Sequence, residues 1–150
     1  MTQASVLSIA WPPDAEVVHG TAVSVAANGL LIVGPSGSGK SALGLMLMAH
    51  GAALIADDRT ILARCETDVM LSAPPTLPAK IEARGVGLLS ADLAPPAPLK
   101  LIVDMGQLEN QRLPPKRFVN VYGHKVALLH GSRDVQFPAA LLLFMNGLRG

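Results

Sequence analysis

Cysteine, charge and long apolar runs are all scarce in this chain, and each scarcity excludes something. Cys65 is the single cysteine among 150 residues, so no disulfide forms within the chain, and the composition fits a reducing compartment, the cytoplasm. No basic cluster lies beside it in sequence, and Cys65 reads as a packing residue. Only 15% of residues are charged and the formal net charge is +1. A nucleic-acid binder shows a clustered basic face; none is visible, and nucleic acid is not an expected partner. The longest apolar runs, the stretch after Lys40 and Ala139–Met145, fall far short of the ~20 residues that span a bilayer, so no membrane partner is expected. The N-terminus has no positive segment leading into an apolar run, which argues against a secretory signal. The expectation is a cytoplasmic, globular, single domain over 1–150, large enough to bury a proper core.

Against that background one stretch carries unusual information. Gly34-Pro35-Ser36-Gly37-Ser38-Gly39-Lys40-Ser41 fits the phosphate-binding pattern G-x-x-x-x-G-K-[ST] at every fixed position. Glycines let the backbone curl until successive N–H groups point into one concavity and cradle phosphate oxygens. Lys40 supplies a point charge for the outer phosphates, and the Ser41 hydroxyl a ligand for Mg²⁺. A serine- and glycine-rich turn could mimic the pattern, so the flanks decide. Gly29–Val33 is a short apolar run that reads as a buried parallel strand. Ser41–His50 is built mostly of good helix formers, with Gly51 as a natural stop. Strand, loop and helix follow in the order that a nucleotide phosphate site requires.

The helix leads directly into Ala52-Ala53-Leu54-Ile55-Ala56-Asp57-Asp58, a second buried strand ending in two acids. In an open α/β sheet, ligands bind outside the carboxyl ends of strands, so Asp57 and Asp58 are expected at the same edge as the loop. There, one carboxylate can hold Mg²⁺, directly or through water, while the other accepts a proton. On residues alone a solvated turn or a helix cap stays open as the alternative. Prolines at Pro74-Pro75, Pro95-Pro96 with Pro98, and Pro114-Pro115 mark loops between short elements. Further strands are expected around Val17–Ala26, Leu99–Asp104 and Phe118–Val121, with a helix near Pro138–Leu148.

Two more segments complete a set. His19-Gly20-Thr21-Ala22-Val23 lies upstream of the loop, and Ile81-Glu82-Ala83-Arg84-Gly85-Val86-Gly87-Leu88-Leu89 lies downstream. By pattern alone, Glu82 and Arg84 form the polar face of a strand or loop, and His19 is an ordinary solvated or structural histidine. Taken in order with the loop and the paired aspartates, however, the four segments resemble the bacterial HPr kinase/phosphorylase family, over about Val18 to Leu89. That resemblance implies an α/β, P-loop nucleotide-binding domain of the HPr kinase and phosphoenolpyruvate-carboxykinase-like type. It implies ATP and Mg²⁺ as cofactors and an HPr-type phosphocarrier protein as acceptor of a phosphate on serine. It also implies the reverse attack of inorganic phosphate on phosphoserine, and assembly into a homo-oligomer. Residue by residue, it implies Gly34 to Ser41 around the nucleotide phosphates and Lys40 on the transferring group. Asp57 would exchange the hydroxyl proton, with His19 beside it and Arg84 near the reacting centre. Ser41 and Glu82, joined by Asp58, would hold the metal.

Only Met1–Val18 precede the matching region, and the resemblance therefore points to a short form made of the catalytic core. Gly131-Ser132-Arg133-Asp134 is the nearest approach to the family's C-terminal glycine-arginine-asparagine stretch. Arg112, Lys116 and Arg117 form a small basic group, either solvated surface or a docking edge. Two other readings are open on the sequence: a nucleotide- or phosphate-sensing regulatory module with little transfer, and a small-molecule kinase on the related scaffold.

Overall fold

The structure, a computed structural model, describes residues 9–10 and 15–147. In chain order the strands and helices are β1 (Ile9–Ala10), β2 (Ala15–Val25), β3 (Asn28–Val33), α1 (Lys40–Ala49), β4 (Ala53–Ala56), β5 (Arg59–Cys65), β6 (Asp68–Ser72), β7 (Lys80–Ala83), β8 (Gly87–Ser90), β9 (Ala97–Leu108), β10 (Arg117–Val121), β11 (His124–Gly131) and α2 (Phe137–Gly147). None of the described helices is long and apolar enough to cross a membrane.

The organising strand is β2. One edge of it pairs antiparallel with β3, from Gly20↔Val33 to Val25↔Asn28. Its other edge is shared: Ala15–His19 pair with β5, and Ala22–Ser24 pair with β4. β5 continues into β6, β6 meets the start of β9 at Leu71↔Ala97, and β9 runs parallel to β3. The pairing β2–β5–β6–β9–β3 thus returns to β2 and closes a ring. β11 extends the sheet parallel to β9, and β10 forms the far edge.

Side-chain alternation along these strands divides the core in two. Leu31, Val33 and Ile102 turn into the ring, with Val18, Leu62 and Leu71. Leu30, Ile32, Leu101 and Val103 turn the other way, against Leu43 and Leu47 of α1 and Leu141 and Met145 of α2. That two-sided burial is why Leu30-Leu31-Ile32-Val33 reads as a continuous apolar run.

The expected sheet needs one correction of topology. β3 is parallel to β9 but antiparallel to β2, and β2 lies between β3 and β4. Because β2 is antiparallel to both, β3 and β4 still run in the same direction, and their carboxyl ends reach the same edge. Pro98 is not in a loop: it falls near the start of β9, opposite Met70, where the missing N–H is tolerated. Cys65 is exposed at the end of β5 and does not pack in the core.

Candidate functional site

The loop between β3 and α1 is shaped by its glycines. Gly34, Gly37 and Gly39 have φ of 147°, 81° and 99°, left-handed values that glycine adopts freely. Gly34 has a second constraint, because a Cβ there would lie 2.7 Å from the Ser38 Oγ and 3.0 Å from the Gly106 nitrogen. Gly39 caps α1 without any side-chain hydrogen bond, so the first N–H groups of the helix remain free for an anion. Ser38 Oγ is buried without a partner. Lys40 Nζ donates to the carbonyl oxygens of Gly34 at 2.8 Å and Pro35 at 3.1 Å, which folds its charge over the start of the loop. At its other end α1 stops in a hydrogen-bonded turn: Gly51, at φ 108°, donates to the Met48 carbonyl while Ala52 donates to that of Leu47.

Asp57 is the meeting point. It follows β4 directly, and the Ala22↔Ala56 pairing brings Thr21 of β2 alongside it. Ser41 Oγ donates to Asp57 Oδ1 at 2.7 Å, and Thr21 Oγ1 donates to the same oxygen at 2.8 Å. Oδ2 receives the Glu82 backbone N–H at 3.3 Å. Close helix approach makes this possible. A Cβ on Gly44 would stand 2.7 Å from Thr21 Cγ2, so only glycine lets α1 settle low enough for Ser41, three residues earlier on the same helix face, to reach the carboxylate. The β7–β8 hairpin is anchored next to it by Ile81, 1% exposed, in the cluster with Leu43 and Leu47.

The oxygens collected here, a serine hydroxyl beside a carboxylate at the mouth of an anion cradle, have the hard-donor chemistry of a Mg²⁺–phosphate site. Among the described residues no three His, Cys, Asp or Glu side chains gather into a metal site of their own. That fits an ion held by one or two protein oxygens together with substrate phosphates.

Comparison with known proteins gives the family and the fold. The family model described as HPr Serine kinase C-terminal domain matches residues 13–94. The chain belongs to that family. Curated relatives named HPr kinase/phosphorylase include one from Peptoclostridium acidaminophilum, 41% identical over 75 residues, which are 49% of this chain and 24% of the relative. Another, from Acidovorax sp. (strain JS42), is 42% identical over 77 residues, 51% of this chain and 24% of the relative. The chain spans about a quarter of the length of these curated relatives. The solved structure of the Hpr(Ser) kinase/phosphatase from Coxiella burnetii superposes with a TM-score of 0.73 at 20% identity, covering 89% of this chain and 90% of that one. The α/β fold is therefore shared.

Within this HPr kinase C-terminal domain, the structure brings Lys40, Ser41, Asp57 and the backbone of Glu82 together. The other residues singled out in the sequence stand at greater remove. Asp58 is exposed, in the left-handed region at φ 70°, and it meets Gly20 through its carbonyl oxygen at 3.0 Å. His19 is exposed on β2, opposite Arg59 of β5; it shares a strand face with Thr21 but has no hydrogen bond to Asp57. Arg84 is exposed in the β7–β8 turn beside Gly85, φ 87°, and the Glu82 side chain is exposed as well.

Three residues at the site were not singled out. Thr21 is one. Asp104 and Met105 are the others, on β9 where it passes the carboxyl end of β3, Val33↔Asp104. Asp104 Oδ1 accepts the Gly106 N–H at 2.8 Å. Met105 fills the space beneath Gly34 and Gly39 and against Gly131. Asp104 was within reach of the same strand-end argument that picked Asp57. Thr21 carried a fainter signal, a polar residue on an otherwise apolar strand face. At the far end of the same edge, Arg117 bonds Glu109 at 2.6 Å and holds its carboxyl below the ordinary range.

Proposed function

We propose that this chain is a Mg²⁺-dependent protein serine kinase that moves the γ-phosphate of ATP to a serine of an HPr-type phosphocarrier protein. The observation that carries this reading is the shared carboxylate oxygen: Asp57 holds the hydroxyl of the loop's own Ser41 at 2.7 Å. P-loop enzymes hold Mg²⁺ with such a pairing of loop hydroxyl and strand-end acid, close to the transferring phosphate, and membership of the HPr kinase family turns that pairing toward a protein serine. The relatives' names supply the acceptor class, and the loop's fit to the phosphate pattern supplies the donor.

In this mechanism the loop N–H groups, Lys40 and the free start of α1 hold the nucleotide phosphates and stabilise charge as it spreads over the γ-group. Ser41 donates a hydrogen bond to Asp57 Oδ1, and its lone pairs would hold the cation, with Glu82 on the neighbouring hairpin and Asp58 acting through water. When bound, Mg²⁺ neutralises phosphate charge. Asp57 Oδ2, which accepts only the long Glu82 N–H bond, takes the proton of the acceptor hydroxyl. That hydroxyl oxygen bonds to the γ-phosphorus as the bond to the bridging oxygen breaks, leaving ADP and phosphoserine. In reverse, inorganic phosphate attacks the phosphoserine phosphorus, Asp57 returns the proton to the departing serine oxygen, and pyrophosphate forms. His19 stands on the strand face of Thr21, at the side of the cluster from which the acceptor would approach. Arg84 reaches the transferring group from the hairpin turn.

Incubation with Mg-ATP and an HPr-type protein, followed by mass spectrometry, tests the reading. The expected product is the acceptor carrying one phosphate on serine. A second reading, a nucleotide-sensing module with little transfer, is favoured by the side chains of His19, Glu82 and Arg84, all exposed and none hydrogen-bonded to Asp57. Tight ATP binding with no modified acceptor would select it.

A further inference from the structure

The two oxygens of Asp57 are held very unequally. Oδ1 receives two short hydroxyl hydrogen bonds, from Ser41 and Thr21, whereas Oδ2 has a single long one from the Glu82 N–H. We propose that Thr21 is a positioning residue that locks the Asp57 carboxylate, fixing Oδ1 as the held oxygen and leaving Oδ2 as the one that takes the acceptor's proton. Its consequence for the rate rests on the kinase reading above.

The argument starts from burial. Thr21 and Thr60, both 0% exposed, are the buried polar residues among those described. Thr60 serves the backbone, donating to the Gly20 carbonyl at 3.0 Å. Thr21 donates instead to a carboxylate just beyond the end of β4, a charge-assisted bond of the stronger kind. Losing it would take one of two short donors from Oδ1 at a residue closed to solvent.

Thr21 is also the stiffer of the two donors. Ser41 sits in the first turn of a helix that starts from a glycine loop, and its hydroxyl is the one a cation would reorient. Thr21 stands on β2 opposite Ile32 of β3, next to the Ala22↔Ala56 pairing with β4, and its β-branched side chain has few rotamers. Its two branches have separate duties: Oγ1 holds Asp57, and Cγ2 meets the bare Gly44. A reacting group placed from a rigid strand keeps its geometry better than one placed from a loop.

Those duties can be separated by substitution. Thr21→Val keeps the packing and removes the hydroxyl; Thr21→Ser keeps the hydroxyl and removes the methyl. Thr21→Ala, compared with Thr21→Ser, differs by one oxygen and serves if the valine variant fails to fold. The Glu82 amide resonance in ¹H–¹⁵N NMR of the nucleotide-free protein reports on Oδ2, because that N–H is bonded to it. The Thr21→Val or Thr21→Ala protein is expected to show a shifted Glu82 amide and a kcat lowered by roughly 10- to 100-fold, as loss of alignment at a reacting group does. KM for ATP should stay within about twofold, since the phosphate cradle is untouched. Thr21→Ser should restore both the resonance and kcat. Equal behaviour of Thr21→Ser and Thr21→Ala in both measurements would overturn the proposal. A wild-type chain that transfers nothing defeats the kinase reading alone, and the amide resonances then still decide whether Thr21 sets the carboxylate.

Discussion

Replacing Gly44 by alanine sets two well-defined effects against each other. In the interior of a helix, glycine costs about 1 kcal/mol relative to alanine, so at an ordinary position in α1 the change would stabilise. Gly44 is not ordinary: a Cβ there would meet Thr21 Cγ2 at 2.7 Å and Ile81 Cδ1 at 3.8 Å. Thr21 is fully buried, on a strand paired with β3 at that position and with β4 from the next residue on, and has no room to swing aside. To restore ordinary contact at 3.4 Å, the helix and strand must part by about 0.7 Å. Overpacking of this kind costs roughly 1–3 kcal/mol, which outweighs the propensity gain and leaves a net loss of up to about 2 kcal/mol. For a chain of this size each kcal/mol lowers Tm by roughly 2–4 °C. The same displacement would stretch the 2.7 Å Ser41–Asp57 bond to the limit of a hydrogen bond, so transfer should fall further than stability. Thermal melting and a transfer assay on Gly44→Ala read both effects. Because Thr21→Ser removes the clashing methyl, the double variant should recover much of the lost stability, with a coupling of about 1 kcal/mol, as contacting residues show. A Gly44→Ala protein that melts higher than wild type and transfers normally would refute the close-approach reasoning.

Two further substitutions probe the edge on either side of Asp57. Lys40→Met removes a charge now shared between the Gly34 and Pro35 carbonyls; ATP affinity measured by calorimetric titration should drop roughly 10- to 100-fold, the worth of one charge-assisted contact, with Tm little changed. Unaltered affinity would remove Lys40 from the phosphate site. Arg117 holds the Glu109 carboxyl below its ordinary range, mainly through their hydrogen bond, and the Gln111 backbone N–H and the His130 charge act the same way. A depressed folded-state pKa means stability that is present at neutral pH and disappears as pH falls through the carboxylate range. The Tm difference between wild type and Arg117→Gln should therefore shrink between pH 7 and pH 3, and also at high salt. A difference that grew on acidification would contradict the assigned pair.

The loop and its flanks were legible because each rested on a local rule. Three glycines at left-handed φ, the apolar β3 run and the Gly51 stop need no knowledge of distant partners. Asp57 was legible for a related reason: chain direction alone sends the end of β4 to the edge where β3 ends. Chain direction did not reveal that β2 lies between them, since an eleven-residue apolar strand carries no mark of what pairs with which half of it. β5, β6, β8 and β11 went unread, and β7 read only as strand or loop, because they are short or mix polar with apolar positions, with Arg59, Arg64, Lys80, Glu82 and Lys125 among them. The hydroxyl partners of Asp57 depend on the Ala22↔Ala56 register and on the bare face at Gly44. Both are tertiary facts with only the faintest trace in sequence.

The most direct measurement places wild type and Asp57→Asn side by side with Mg-ATP and an HPr-type acceptor, reading phosphoserine on the acceptor by mass spectrometry and ATP affinity by calorimetry. Asparagine keeps the size of the side chain but cannot take the hydroxyl proton. The account predicts one phosphate on an acceptor serine with wild type, none with Asp57→Asn, and similar ATP affinity in both. Transfer by Asp57→Asn at the wild-type rate, or no transfer by a folded, ATP-bound wild type, would contradict it.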